Sequence, residues 1–203
     1  MSRHHGTTQT RFSTCTEALL DVLSAAPSRP VLTTADGSVI SAGALRDRVC
    51  RLGGELERRR VGRGDTVGLL TGNSADDLAA RYAANLAGAR VVVLYEGMST
   101  SVMARILASV DGALLLVDDL RHDVARELLP LPGVPPVLSL GPSDFAADVL
   151  AAAARHPTRA MRPTRAPVEA AHLAELARGP SRRQRTLPCG RSDLIRRQTR
   201  STA

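Results

Sequence analysis

Few side chains in this sequence stand in patterns that could do chemistry, and each has a plainer structural explanation beside it. Asn73 follows a predicted strand, at the edge where open α/β sheets bind ligands, and its amide could hold one. Turn formation accounts for the same residue. Asp76-Asp77 and Asp118-Asp119 are paired acids, a pattern that can serve proton transfer or cation binding. Both pairs open predicted helices, where capping and the helix dipole explain acidic residues. Ser13, Ser41 and Cys50 offer nucleophiles, and His122, His156 and His172 offer bases, but no spacing rule assembles them into a triad. His122, next to Arg121, reads as a solvated helix-surface residue. His4-His5 is too small a set for a metal site, and Cys15, Cys50 and Cys189 fit neither a disulfide framework nor metal-ligand spacing. Gly62-Arg63-Gly64 and Gly68-x-x-x-Gly72 are not a dinucleotide fingerprint, because the second spans a strand instead of opening a helix. No residue is assigned a catalytic, cofactor-binding or metal-ligating role.

The elements that would position these groups centre on Gly62 to Tyr95, GRGDTVGLLTGNSADDLAARYAANLAGARVVVLY. A Gly-Arg-Gly-Asp turn leads into an apolar strand at Thr66–Leu70. Ser74 stands as the N-cap of a helix carrying Leu78, Tyr82 and Leu86 on one stripe, and Gly88 ends it as a C′ glycine. Val91 to Tyr95 reads as a strand covered on both faces. Strand, helix, strand at this spacing is a βαβ unit.

Upstream, Phe12 to Ala26 reads as a helix with Leu19, Leu20 and Leu23 on one side. Val31 to Ser41 reads as a hairpin around Asp36-Gly37. Ser41 caps a helix striped with Leu45, Val49, Leu52 and Leu56. Gly53-Gly54 within that helix costs ~1 kcal/mol per residue, which implies close packing against a neighbour. Downstream, Ser99 caps a helix bearing Met103, Ile106, Leu107 and Val110, and Ala113–Val117 is a buried strand. Asp118 and Asp119 start a helix with Leu120, Val124 and Leu128. Val137–Leu140 is a last strand, and Ser143 or Asp144 opens a helix through Ala154. The alternation predicts an α/β fold, a mostly parallel sheet flanked by helices. Three regions follow: a disordered start over residues 1–13, an α/β subdomain over 14–154, and an Arg/Pro-rich tail over 155–203 that is largely disordered apart from a short helix at Val168 to Ala177.

The ordered pieces Leu56–Asp65, Val67–Leu70, Gly72-Asn73-Ser74, Leu78–Leu86 and Ala87-Gly88-Ala89-Arg90-Val91 resemble the N-terminal part of the adenylate-forming acyl-CoA synthetases and ligases, the AMP-binding enzymes. The resemblance runs from about Pro30 to about Leu140. One departure is Arg60, which stands where the first glycine of the family's turn would be. The resemblance implies an ATP-dependent acid–thiol ligase that forms an acyl-adenylate, with ATP, Mg and CoA as the cofactors of the full-length enzyme. The family's phosphate loop, rich in Ser, Thr and Gly and ending in Pro-Lys-Gly, has no counterpart after Leu140. Its two functional lysines have none either, since all 27 basic residues are Arg. Ser192-Asp193-Leu194-Ile195-Arg196 resembles the approach to that loop, but the chain then ends. The resemblance therefore implies an N-terminal part truncated before the phosphate loop, binding no cofactor and inactive alone. Its expected partner is a second chain completing the ligase domain, or another copy of itself.

Charge supports one competing reading. The net charge is +7, but from Arg155 onward 12 Arg face only Glu169, Glu175 and Asp193, a net +9, so residues 1–154 carry −2. A non-catalytic interaction module whose tail binds an acidic partner or nucleic acid would fit. Such binding would be weak, nonspecific and directed at phosphates, because Phe12, Tyr82, Tyr95 and Phe145 all lie outside the tail. No apolar run approaches the ~18 residues of a membrane span, so no membrane contact and a cytoplasmic location are expected.

Overall fold

The structure, a computed structural model, describes residues 14–155. The disorder expected of residues 1–13 and of the tail beyond Arg155, and the helix at 168–177, fall outside the described residues.

Helix α1 (Cys15–Ala25) begins in a capping box: the Thr14 hydroxyl accepts the Glu17 amide and the Glu17 carboxylate accepts the Thr14 amide. Leu20 and Leu23 are its buried side. Strands β1 (Pro30–Thr33) and β2 (Val39–Ser41) form the expected antiparallel hairpin, whose turn is tied by Asp36 accepting from Thr34 and Ser38. The Ser41 hydroxyl then accepts the Ala44 amide and starts α2 (Ala42–Arg58), which buries the whole stripe Leu45, Val49, Leu52 and Leu56. Gly53 lies on that buried side, and α2 packs along α3 (Ala75–Ala87).

Five strands make the main sheet: β3 (Thr66–Leu70), β4 (Arg90–Val93), β5 (Gly112–Asp118), β6 (Val137–Leu140) and β7 (Ala147–Asp148). All pair in parallel, in the order β4-β3-β5-β6-β7. The α/β class and the parallel sheet flanked by helices are as the alternation predicts. Strand β3 is buried along its length, and Gly68 within it leaves the space that Leu107 fills: a Cβ there would sit 2.7 Å from Leu107 Cδ2. One layer packs α1, α2, α3 and α6 (Val149–Ala154) on the sheet face that presents Val67, Leu69, Leu114 and Leu116. The other packs α4 (Thr100–Ser109) and α5 (His122–Leu128) on Leu70, Leu115 and Val117.

Four local expectations change. The cover over Val91–Val93 is only partial: Val91 and Val93 pack on one layer and Val92 on the other, but β4 is an edge strand, its valines are half-buried, and Tyr95 beyond it is 63% exposed. In α3 only Leu86 of the expected stripe is buried; Leu78 and Tyr82 mark the rim of a buried side built from Ala75, Ala79, Ala80, Ala83, Ala84 and Ala87 with Leu86. Small residues let α2 and the sheet approach closely, so the larger side chains are pushed to the margin. Leu120 is exposed, because Asp119–Arg121 form a 3-10 turn that sets it off the face carrying Val124 and Leu128. The last helix starts later than Ser143 or Asp144. Ser143 instead caps a turn by accepting the Phe145 and Ala146 amides, β7 follows, and Asp148 caps α6.

Candidate functional site

The strand order reverses direction at β3. From β3 the chain moves outward to β4, then crosses back to place β5 on the other side of β3, and β6 and β7 continue that way. The carboxyl ends of β3 and β5 therefore flank a topological switch point, where open α/β sheets place their ligand crevice. A crevice of about 590 Å³ lies there, walled by Gly72, Asn73 and Ser74 after β3, Asp118 and Arg121 after β5, and Leu140 at the end of β6.

Each wall has a local cause. Ser74 and Asp77 form a capping box at the start of α3: the Ser74 hydroxyl accepts the Asp77 amide at 3.1 Å and Asp77 Oδ2 accepts the Ser74 amide at 2.7 Å. This fixes the entry of α3 and leaves Asn73 exposed on the rim. Asp76 does not line up with Asp77 as a working pair; it binds Arg48 of α2 at 2.7 Å. Capping accounts for Asp77, as its place at a helix start implies.

Asp118 is different. It makes no cap bond in the turn that follows. It is the buried last residue of β5, and its Oδ2 accepts the Gly72 amide at 2.7 Å and Arg121 Nη1 at 2.6 Å. Arg121 Nη2 reaches Glu96 Oε2 at 3.3 Å. The hydrogen bond it donates to Asp118, helped by the charges of Asp118, Glu96 and Asp77, raises the Arg121 guanidinium above its ordinary value, so it stays charged throughout the usual pH range. Asp119, the other half of the predicted pair, is exposed. The sequence held one weak signal of this network, the arginine three residues after the acid that ends ALLLV, but the same spacing at Asp123 and Arg126 gives an exposed pair.

The remaining candidates are scattered. His122 is not a solvated residue. Its Nε2 lies 2.8 Å from the hydroxyl of fully buried Ser139, and its ring meets Phe145 edge-on at 5.1 Å. The α5 turn points it inward over β6, where sequence adjacency to Arg121 suggested the surface. Ser41 is spent on capping α2, Cys50 is buried in the α2 core, and neither stands by His122. Ser13, His156, His172, Cys189 and the 192–196 segment lie outside the described residues. Among the described residues no group of three His, Cys, Asp or Glu side chains could hold a metal ion, and no helix is long and apolar enough to cross a membrane.

A sequence profile of the AMP-binding enzymes matches residues 21–176. The chain belongs to that family. The match extends the resemblance seen in sequence at both ends. No curated protein matches the chain. Among solved structures, the amide bond synthetase McbA from Marinactinospora thermotolerans is 27% identical with a TM-score of 0.67, over 75% of this chain and 30% of that one. An anthranilate CoA ligase solved with anthranoyl-AMP gives 17% and 0.65, over 75% and 30%. A benzoate CoA ligase from Burkholderia xenovorans gives 13% and 0.68, over 76% and 31%. The last two show the fold alone. The chain thus spans about a third of the length of these enzymes.

AMP-binding enzymes use ATP and Mg, and the residues of the switch-point crevice do not fit a nucleotide's phosphates. Asp76, Asp77, Asp118 and Asp119 all line it. Its one lining cation, Arg121, is committed to Asp118, and the Oδ1 atoms of Asp77 and Asp118 are buried without hydrogen bonds. A phosphate entering would meet four acidic residues and no uncommitted lining cation, where phosphate sites offer backbone amides and cations.

Proposed function

We propose that this chain is the N-terminal α/β subdomain of an ATP-dependent ligase that activates a carboxylic acid as its acyl-adenylate. It serves as scaffold and as one wall of the acid pocket, and the adenylating groups come from polypeptide beyond it. The observation that carries this reading is the acidic switch-point crevice, where the fold would hold a nucleotide and the side chains repel one. The lack of any lysine in the chain agrees with it, since neither ammonium role of the family can be filled here. An acyl or aryl acid is the substrate class favoured. McbA by name makes amide bonds, and the benzoate and anthranilate enzymes by name act on aromatic acids. A thiol acceptor, CoA, follows the latter two. The partner would be a chain that supplies the rest of the ligase and covers the β4 edge, with self-association through that edge as its substitute.

The test is carboxylate-dependent pyrophosphate release from ATP by the purified chain, with a panel of acyl and aryl acids. No release above the protein-free control is expected. Release that depends on the acid and disappears in Asn73→Ala would overturn the scaffold role.

A further inference from the structure

We infer that Arg121 is a positioning residue that locks the three loops at the carboxyl edge of the sheet into one wall, and so sets the shape of the crevice beside Asn73. These loops are separate in sequence: residues 71–74 follow β3, residues 94–99 follow β4, and residues 119–121 follow β5. A single guanidinium reaches all of them. Nη1 donates to Asp118 Oδ2 at 2.6 Å, and that same oxygen holds the Gly72 amide at 2.7 Å. Nη2 donates to Glu96 at 3.3 Å. The guanidinium lies close beside the first loop, because a Cβ on Gly72 would sit 3.2 Å from Nη1 and 3.5 Å from Nη2. Gly72 is thus the residue that lets the guanidinium approach.

The two arms differ in kind. The Asp118 side chain is 8% exposed and that of Arg121 16%, so the inner arm is shielded and holds in salt. The Glu96 side chain is 84% exposed, and its arm is long. An exposed pair of this kind is weak and screened by salt, so the loop after β4 is the adjustable part of the wall. Lysine cannot replace Arg121: a single ammonium on a flexible stem lacks the planar fork that serves two acceptors at once.

The role rests on the reading that this chain is the scaffold of a ligase, but its test needs no turnover. Amide hydrogen exchange of the full chain is compared for the native protein, Arg121→Lys, Gly72→Ala and Glu96→Gln. Arg121→Lys should speed exchange in residues 71–74 and 95–98 by roughly tenfold, the factor for losing about one hydrogen bond from a local opening equilibrium. Protection within β3 and β5 should stay unchanged. Gly72→Ala should give a weaker form of the same pattern, because its Cβ makes the guanidinium give way by a few tenths of an ångström. Glu96→Gln, or 1 M salt on the native chain, should affect residues 95–98 alone. Equal acceleration over the whole core in Arg121→Lys would show a merely structural ion pair. Unchanged loops in Gly72→Ala and Glu96→Gln would remove the positioning role even if Arg121→Lys did not fold. Pyrophosphate release by the chain would defeat the ligase-scaffold reading and leave these exchange patterns as they are.

Discussion

Asp118 closes the end of β5 onto the loop that follows β3: its Oδ2 holds the Gly72 amide at 2.7 Å across 46 residues of sequence. The two strands flank the switch point, so this bond stands where a bound ligand would in a sheet built to hold one. Removing the carboxylate strands a buried amide and leaves Arg121 without its main partner. Asp118→Ala is expected to cost about 2–4 kcal/mol of unfolding free energy, in the range for breaking a largely buried charged hydrogen-bond set. Arg126→Met, which breaks exposed pairs with Asp123 and Asp144, should cost clearly less than that. Urea unfolding of both variants checks the contrast, and equal costs would show that Asp118 has no special place in the fold.

Arg60 carries a backbone strain that a glycine would relieve. It ends α2 in a Schellman motif, with the Arg60 amide bound to the Glu57 carbonyl and the Val61 amide to that of Leu56. Its φ is +63°, in the left-handed region, where the family's turn has glycine. The same motif at the end of α3 uses Gly88. A side chain there costs roughly 1–2 kcal/mol, part of which a glycine returns through greater unfolded-state freedom. Arg60→Gly should therefore raise the melting temperature by roughly 2–4 °C. A drop in melting temperature would mean that the arginine side chain makes contacts worth more than the strain.

The alanine side of α3 predicts where the core resists change. Ala83 is fully buried between helix and sheet, so Ala83→Leu should destabilise by about 1–3 kcal/mol through overpacking. Leu78, on the half-buried rim, should lose less on truncation to Ala than the 2–5 kcal/mol typical of a core leucine. Chemical denaturation of the two variants separates the buried side from the rim.

Asp144 sets part of the acid response. The Arg126 guanidinium bonds it at 2.6 Å and holds its carboxyl below the ordinary value of 3.8. A carboxyl depressed in the folded state adds stability above its unfolded value, and that stability is lost as pH falls through the lower folded one. Melting temperature should therefore fall from about pH 5 downward, and the fall should be shallower in Asp144→Asn. Identical profiles for the two proteins would remove the pair from the account.

What was legible in the sequence was local. Ser41, Ser74 and Gly88 stand within a few residues of the helix ends they define, so their roles show in the chain itself. The α2 stripe was legible because large apolar residues at helical spacing have one place to go. Asp118 was misread because its partner Gly72 is 46 residues away, and an acid at a helix start looks the same whether it caps or crosses to another loop. His122 was misread for the same reason, its partner Ser139 being on β6. The alanines of α3 carry no periodic contrast strong enough to outvote Leu78 and Tyr82. The family resemblance was legible because it rests on an ordered series of turns and caps.

The proposed need of this fold for further polypeptide is tested most directly by sedimentation of the purified chain over a concentration series, with binding of a dye for exposed apolar surface read alongside. Among the described residues β4 pairs on one side only, Val91–Val93 are half-buried, and Tyr95 is 63% exposed next to them. An unpaired, apolar strand edge invites association. The prediction is a sedimentation coefficient that rises with concentration, together with dye binding. A stable monomer that binds no dye and unfolds in one cooperative transition would contradict the claim.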